Sequence, residues 1–251
     1  MATRIKPLPC KLVRRVFGRP LMCKGERMER MEALKSSVGK ADACELLAYA
    51  FAFPNEQLAE GLSSGALADD AEACLRDAGV ASEGARQVAN DLRRWQGFDA
   101  ADLCSRMRTT YSRLYLVPGG HTPVFPYESA FLHVEHGLSG IPVLFRTPVT
   151  LDVERQMHEA GVAAKNERKE PCDSVFDEFE FLSFLFAKFA DVTNREDTDE
   201  ATIWESRVQH FLTKHAQVWL PSFMRRTQEL AAGEPYAAFA SLGTATMGVL
   251  K

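Results

Sequence analysis

From about Lys40 to the C-terminus, apolar residues return every three or four positions, and only one stretch of the chain has strand-like composition. That stretch, IPVLFRTPVTLDV (residues 141–153), holds two prolines. A solitary strand has nothing to pair with, so it is expected as an extended connection. No repeat at a solenoid period is present. These patterns together specify an all-α chain, a single globular helical bundle of about ten helices.

The helices can be placed one by one. In KADACELLAYAFAFP, Cys44, Leu47, Ala48 and Phe51 share a face and Pro54 ends the run. SEGARQVANDLRRW follows with Ser82 as its cap and Gly97 as its stop. Leu103, Met107, Tyr111, Leu114 and Tyr115 then form one stripe, closed by Pro118. Later helices are expected over residues 151–160, 174–191, 202–218, 221–232 and 235–250. In the second of these, Val175, Phe179, Leu182, Phe186 and Phe189 make a buried face, while Phe176, Phe181 and Phe184 lie off it. A helix apolar over so much of its circumference belongs at the centre of the fold.

Charge and composition narrow the function. A net charge of −4 and a pI near 5.9 argue against a dedicated nucleic-acid binder. No apolar run reaches the roughly 18–20 residues of a membrane helix, so no integral membrane segment is expected. The six cysteines contain no C-x-x-C pair, which leaves no zinc site and predicts reduced thiols packed as small apolar groups. Residues 1–30 carry nine Lys or Arg against Glu26 and Glu29, and are expected as a flexible basic tail preceding an all-helical domain over 31–251. Within that tail, Arg14-Arg15-Val16-Phe17 has the outline of a twin-arginine export signal, but no apolar segment follows it. An upstream extension with a natural start at Met28 or Met31 fits the same residues.

Two stretches resemble each other: FPYESAF (residues 125–131) and EPCDSVFDEFEF (residues 170–181). Each has a proline, then acidic groups, then aromatics at helical spacing. Asp173 or Ser174 is a good N-cap, Ser174 with Asp177 reads as a capping-box pair, and Pro126 suits a first helical turn. Helix initiation accounts for both, yet the loop VPGGHTPVFP before the first fixes backbone without supplying core, as binding loops do. Catalytic signatures are absent: no phosphate loop, no dinucleotide fingerprint, no nucleophile elbow and no H-E-x-x-H. His133 and His136 share a helix face near Glu135, which permits a metal-binding enzyme as an alternative. His210 and His215, five apart, are expected on different faces of a helix. A helical regulator or scaffold is the other alternative.

The order of motifs resembles the TorD/DmsD/NarJ family of redox-enzyme maturation chaperones, in its TorD-like branch. YSRLYLVPGGHTPVFPYES (residues 111–129) matches that family's helix end, Gly/Pro loop and Pro-aromatic-acid-Ser motif. Glu170-Pro171-Cys172-Asp173-Ser174 matches its Glu-Pro-x-Asp-His, with Ser174 in place of the histidine. Phe211, His215, Trp219, Pro221, Phe223 and Tyr236 match its C-terminal pattern.

The resemblance covers residues from about Cys44 onward. It implies a cytoplasmic chaperone, not an enzyme, with no cofactor and no metal of its own. The implied partner is a molybdopterin oxidoreductase catalytic subunit and its twin-arginine signal peptide, held until cofactor insertion and then released for export. The residues implied in signal-peptide binding are Tyr115, Phe125, Pro126, Tyr127, Glu128, Ser129, Glu170, Pro171, Asp173 and Ser174. Carboxylates beside aromatic walls suit a peptide with two arginines and an apolar segment. A homodimer is compatible with this reading.

Overall fold

The structure, a computed structural model, describes residues 24–118, 121–163 and 170–250. Among them are eleven α-helices and one π-helical turn, and no named strand. The all-helical expectation holds. The helices are α1 (Lys24–Phe51), α2 (Glu56–Ser64), α3 (Ala66–Ala78), α4 (Ser82–Arg93), α5 (Ala100–Tyr115), α6 (Glu128–Glu135), α7 (Pro148–Glu159), α8 (Val175–Asn194), α9 (Thr198–Phe211), α10 (Gln217–Leu230) and α11 (Pro235–Val249). The π-turn Leu212–Ala216 joins α9 to α10.

Helix ends follow the local chemistry. Asn55, Asp99, Thr147, Ser174 and Asp197 each accept a backbone N–H of the first turn of α2, α5, α7, α8 and α9. The turn from α2 into α3 passes through Gly65 at φ 88, a left-handed conformation that a side chain would oppose. Three expectations are revised. Helix α1 starts at Lys24, sixteen residues before the periodic pattern becomes legible, while the expectation for residues 1–23 falls outside the described residues. Ser82 is the first helical residue of α4 and not its cap, which is Ala81. Pro221 does not begin a helix: α10 runs through it. Its ring is on the exposed face, where the carbonyl it leaves unpaired can meet water.

The core is built around α8, as its all-round apolarity demands. Helix α1 lies along it in the opposite direction, with Arg30 at the Glu196 carboxylate near one end and Lys40 over the Phe186 ring further along. Helix α9 returns along another side, placing Trp204 against Phe184 and Phe211 against Phe181. Helix α3 approaches α1 so closely that a Cβ at Gly39 would fall 2.6 Å from the Asp77 carbonyl carbon. Where α1, α5, α10 and α11 converge, Phe51, Tyr115, Phe223 and Tyr236 interlock, with the Tyr115 and Phe223 rings stacked at 5.7 Å. Cys44, Cys74, Cys104 and Cys172 are buried free thiols, as expected; Cys10 and Cys23 lie outside the described residues. The 141–153 stretch is irregular up to Thr147 and helical from Pro148.

Candidate peptide-binding junction

The two similar stretches are physically one feature. Tyr127 and Ser174 form an isolated antiparallel bridge. Glu128 N–H donates to the Asp173 carbonyl at 2.8 Å, and Val175 N–H donates to the Pro126 carbonyl at 2.9 Å. The residues just before α6 and α8 are thereby paired, and the two helices start side by side. Side chains reinforce the pairing: Ser129 N–H donates to Asp173 Oδ2 at 3.0 Å, and the Tyr127 hydroxyl donates to Glu170 Oε1 at 2.6 Å. Ser174 caps α8, accepting Asp177 N–H and donating its own hydroxyl to Asp177 Oδ2 at 2.7 Å. Pro126 precedes the cap residue Tyr127 instead of sitting in the first turn of α6.

Behind this bridge lies a buried polar cluster. His215, carried inward by the π-turn, presents Nδ1 to Glu128 Oε2 at 2.7 Å and Nε2 to Asp152 Oδ2 at 2.9 Å. Carboxylates only accept, so an imidazole between two of them is satisfied when both its nitrogens carry protons. Burial works against that charge. The hydrogen bonds and fields of Glu128 and Asp152 overcome it, and the His215 pKa rises above its ordinary value. Burial likewise opposes ionised Asp152, but hydrogen bonds from Arg155, Gln156 and His215 hold its carboxyl well below the usual range. One imidazolium thus ties α6, α7 and the α9–α10 rod together. The π-turn, whose signature is the Gln217 N–H bond to the Leu212 carbonyl, gives the His215 ring its inward position.

A second buried acid, Glu178, accepts the Trp219 indole N–H at 2.9 Å. Burial, then the charges of Glu128 and Asp173, pushes its pKa well above the ordinary value and favours its protonated form. Asp173 is pushed up to about 6, by burial first and by Glu128 as well, against the pull of Ser129. Two acids thus bond His215 directly, and two more, Glu178 and Asp173, lie within electrostatic reach of Glu128.

The residues expected to bind peptide divide into two groups. Tyr115, Pro126, Glu128, Pro171, Asp173 and Ser174 are buried, and Glu128, Asp173, Ser174 and Tyr115 are already engaged inside the protein. Phe125, Tyr127, Ser129 and Glu170 are half-exposed and adjoin the surface. Phe125 shares a recess with Val134 and Glu135 at the end of α6, and the segment that follows holds Leu138, Ile141, Val143 and Phe145 outward, with Ile141 71% and Val143 66% exposed. Leu151 on α7 and Val134 on α6 extend this apolar strip. Exposed apolar side chains in such a run mark a contact surface.

His133, by contrast, bonds the Gly140 carbonyl, and His136 ends α6. Among the described residues no three His, Cys, Asp or Glu side chains gather as metal ligands. The roles of Asp152, His215, Glu178 and Trp219 escaped sequence reading. One signal was available: Glu178 occupies the apolar stripe of α8, between Val175 and Leu182, where a carboxylate needs a partner.

A helical body whose buried polar groups hold helices together, with an apolar strip left outward, has the build of a binding protein. A family model described as nitrate reductase delta subunit matches residues 78–225. That is more than half of the chain, which belongs to this family of molybdoenzyme maturation chaperones. No curated protein matches the sequence. Among the described residues no helix is long and apolar enough to cross a membrane.

Proposed function

We propose that this protein is a cytoplasmic chaperone that binds the twin-arginine signal peptide, and with it the apo form, of a molybdopterin-dependent oxidoreductase before cofactor insertion and export. The observation that carries this reading is an exposed apolar strip over 138–151 whose two ends adjoin the paired starts of α6 and α8, Val134 sharing a recess with Phe125 and the Thr150 carbonyl accepting from Cys172. The signal's apolar segment lies along Leu138, Ile141, Val143 and Leu151. Its arginines meet the half-buried Glu170 and the carboxylates of Glu135 and Glu154, which make no side-chain hydrogen bond or ion pair among the described residues. The buried residues Glu128, Asp173 and Ser174 act indirectly, by fixing the junction against which the peptide lies.

Calorimetric titration with a twin-arginine signal peptide from a molybdoenzyme tests this. We expect micromolar binding, weakened at least tenfold by a twin-lysine peptide and by Glu170→Gln. Equal binding of the twin-arginine and twin-lysine peptides would refute the proposed recognition.

A further inference from the structure

The motif Arg14-Arg15-Val16-Phe17 carries the same chemistry that the proposed site selects, two arginines followed by apolar residues. Residues 1–23 hold six Lys or Arg and no acid, interleaved with Ile5, Leu8, Leu12, Val13, Val16, Phe17 and Leu21. The rest of the chain has 24 Lys and Arg against 34 Asp and Glu, a net charge of −10. A basic, apolar segment is thus joined to an acidic body that exposes an apolar strip. The strip itself has Glu135 at the end of α6 and Glu154 one turn beyond Leu151, both without a cationic partner among the described residues. Apart from the exposed Arg146 within the strip and Arg226 beside the recess of Glu135, charge and apolar pattern match on both sides.

Geometry decides which copy of the segment fits. Helix α1 runs opposite to α8 and begins beyond its far end, since Arg30 already reaches Glu196 past the end of α8. From Glu196 back to the Tyr127–Ser174 bridge is the length of α8, about 30 Å at 1.5 Å per residue. Lys24 lies roughly 9 Å further out by the same rise. Helix α6 then leads further away, since Phe131 packs on Phe223 and Glu135 borders the same recess as Arg226 near the end of α10. Seven residues separate Phe17 from Lys24 and span at most about 24 Å fully extended. The strip of the same copy is therefore out of reach, and the strip of a second copy is not.

We propose that residues 11–19 of one copy occupy the 134–154 strip of a second copy, reciprocally, so that the chaperone without client is a self-capped dimer. This rests on the strip being the client site named above. Arg14 and Arg15 pair with Glu135 and Glu154, and Val16 and Phe17 cover Ile141 and Val143. A client signal peptide competes for the same surface, so client binding and dimer dissociation are one equilibrium. The apparent affinity for client is reduced by the fraction of strips that are capped.

The test uses the full chain, wild type and Arg14→Ala/Arg15→Ala, whose substitutions lie outside every described helix. Sedimentation is followed over a range of concentrations. In a second arm, Phe17 is replaced by the photocrosslinker p-benzoylphenylalanine in an equal mixture of isotope-labelled and unlabelled protein, and crosslinks are mapped by mass. We expect a concentration-dependent wild-type dimer, weakened by salt and lost in the double variant, with crosslinks from position 17 between copies onto residues 134–154. A wild type that stays monomeric, a dimer unaffected by the double substitution, or crosslinks within one copy or onto other surfaces would overturn the proposal. Signal peptide is then titrated into both proteins. Binding about tenfold tighter to the double variant supports competition, and equal affinity overturns it. If the crosslink map holds while no signal peptide binds the monomeric variant, the client assignment fails and the self-capped dimer stands.

Discussion

Replacing His215 with leucine removes both of its hydrogen bonds while keeping an apolar group of similar bulk beside Phe211, whose ring lies 5.1 Å from the imidazole. What remains is Glu128, 2% exposed, stripped of its imidazole partner and left with only the neighbouring Glu178 carboxyl, and Asp152, which keeps Arg155 and Gln156. Removing one partner of a buried ion pair costs about 3–5 kcal/mol. The lower bound is the roughly 1–3 kcal/mol of a buried polar group left without its partner. A loss of about 2–5 kcal/mol is therefore expected, a large share of the roughly 5–15 kcal/mol of a typical domain.

The pH dependence is the sharper signature. The folded pKa of His215 is raised, so its stabilisation is complete below the unfolded value near 6.5 and disappears as pH rises through the folded value. Urea unfolding of wild type and His215→Leu should show the widest gap near pH 6 and a narrower one by pH 9. Adding Glu128→Gln to the variant should recover part of the loss. A gap below about 1 kcal/mol at pH 6, or one constant from pH 6 to pH 9, would refute the imidazolium bridge.

Further outcomes follow from other residues. Ser174→Ala removes both the cap of α8 and the hydroxyl donor to Asp177, and should cost about 1–2 kcal/mol in denaturant unfolding; Ser174→Asp should not recover it, since a carboxylate cannot donate to Asp177 Oδ2 and would repel it. Asp173 titrates near 6 when folded, so the folded state binds more protons than the unfolded between about pH 4 and 6 and stability falls as pH rises across that window. Asp173→Asn should flatten this slope, worth up to about 3 kcal/mol, in unfolding titrations at pH 4 and pH 7. Gly39→Ala drives a methyl into the backbone of α3 at Asp77 and Ala78, and thermal unfolding should register a loss of about 1–3 kcal/mol or more. Tyr127→Phe removes the hydroxyl bond to Glu170 at the half-exposed edge of the junction, and should leave stability within about 1 kcal/mol while changing signal-peptide affinity in the calorimeter.

Much of the fold was legible because it depends on neighbours in sequence. The 3–4 spacing of Leu103, Met107, Tyr111 and Leu114 buries one face of α5, and all four are buried. Ser174 reads as a cap and is one. Helix α1 upstream of Lys40 was not legible, since its N-terminal half, rich in charged residues and with exposed Met28 and Met31, has no apolar stripe to betray it. At Pro221 the local pattern reads as a helix start, but the packing of Trp219, Leu220, Phe223 and Met224 holds α10 together through it.

By itself, then, the sequence determined the helical class, several helix ends such as those of α5, α8 and α11, the centrality of α8 and the family resemblance, all of which rest on short-range patterns. Only the tertiary structure decided that FPYES and EPCDS are one bridged feature. It also decided that Glu128, expected to bind peptide, is buried against His215, 87 positions away, which in turn reaches Asp152 across 63. The reason is physical: capping and periodicity act within a turn or two of helix, whereas the partner of a buried charge is set by how whole helices pack. No local pattern records which distant donor will satisfy an acid once water has been excluded.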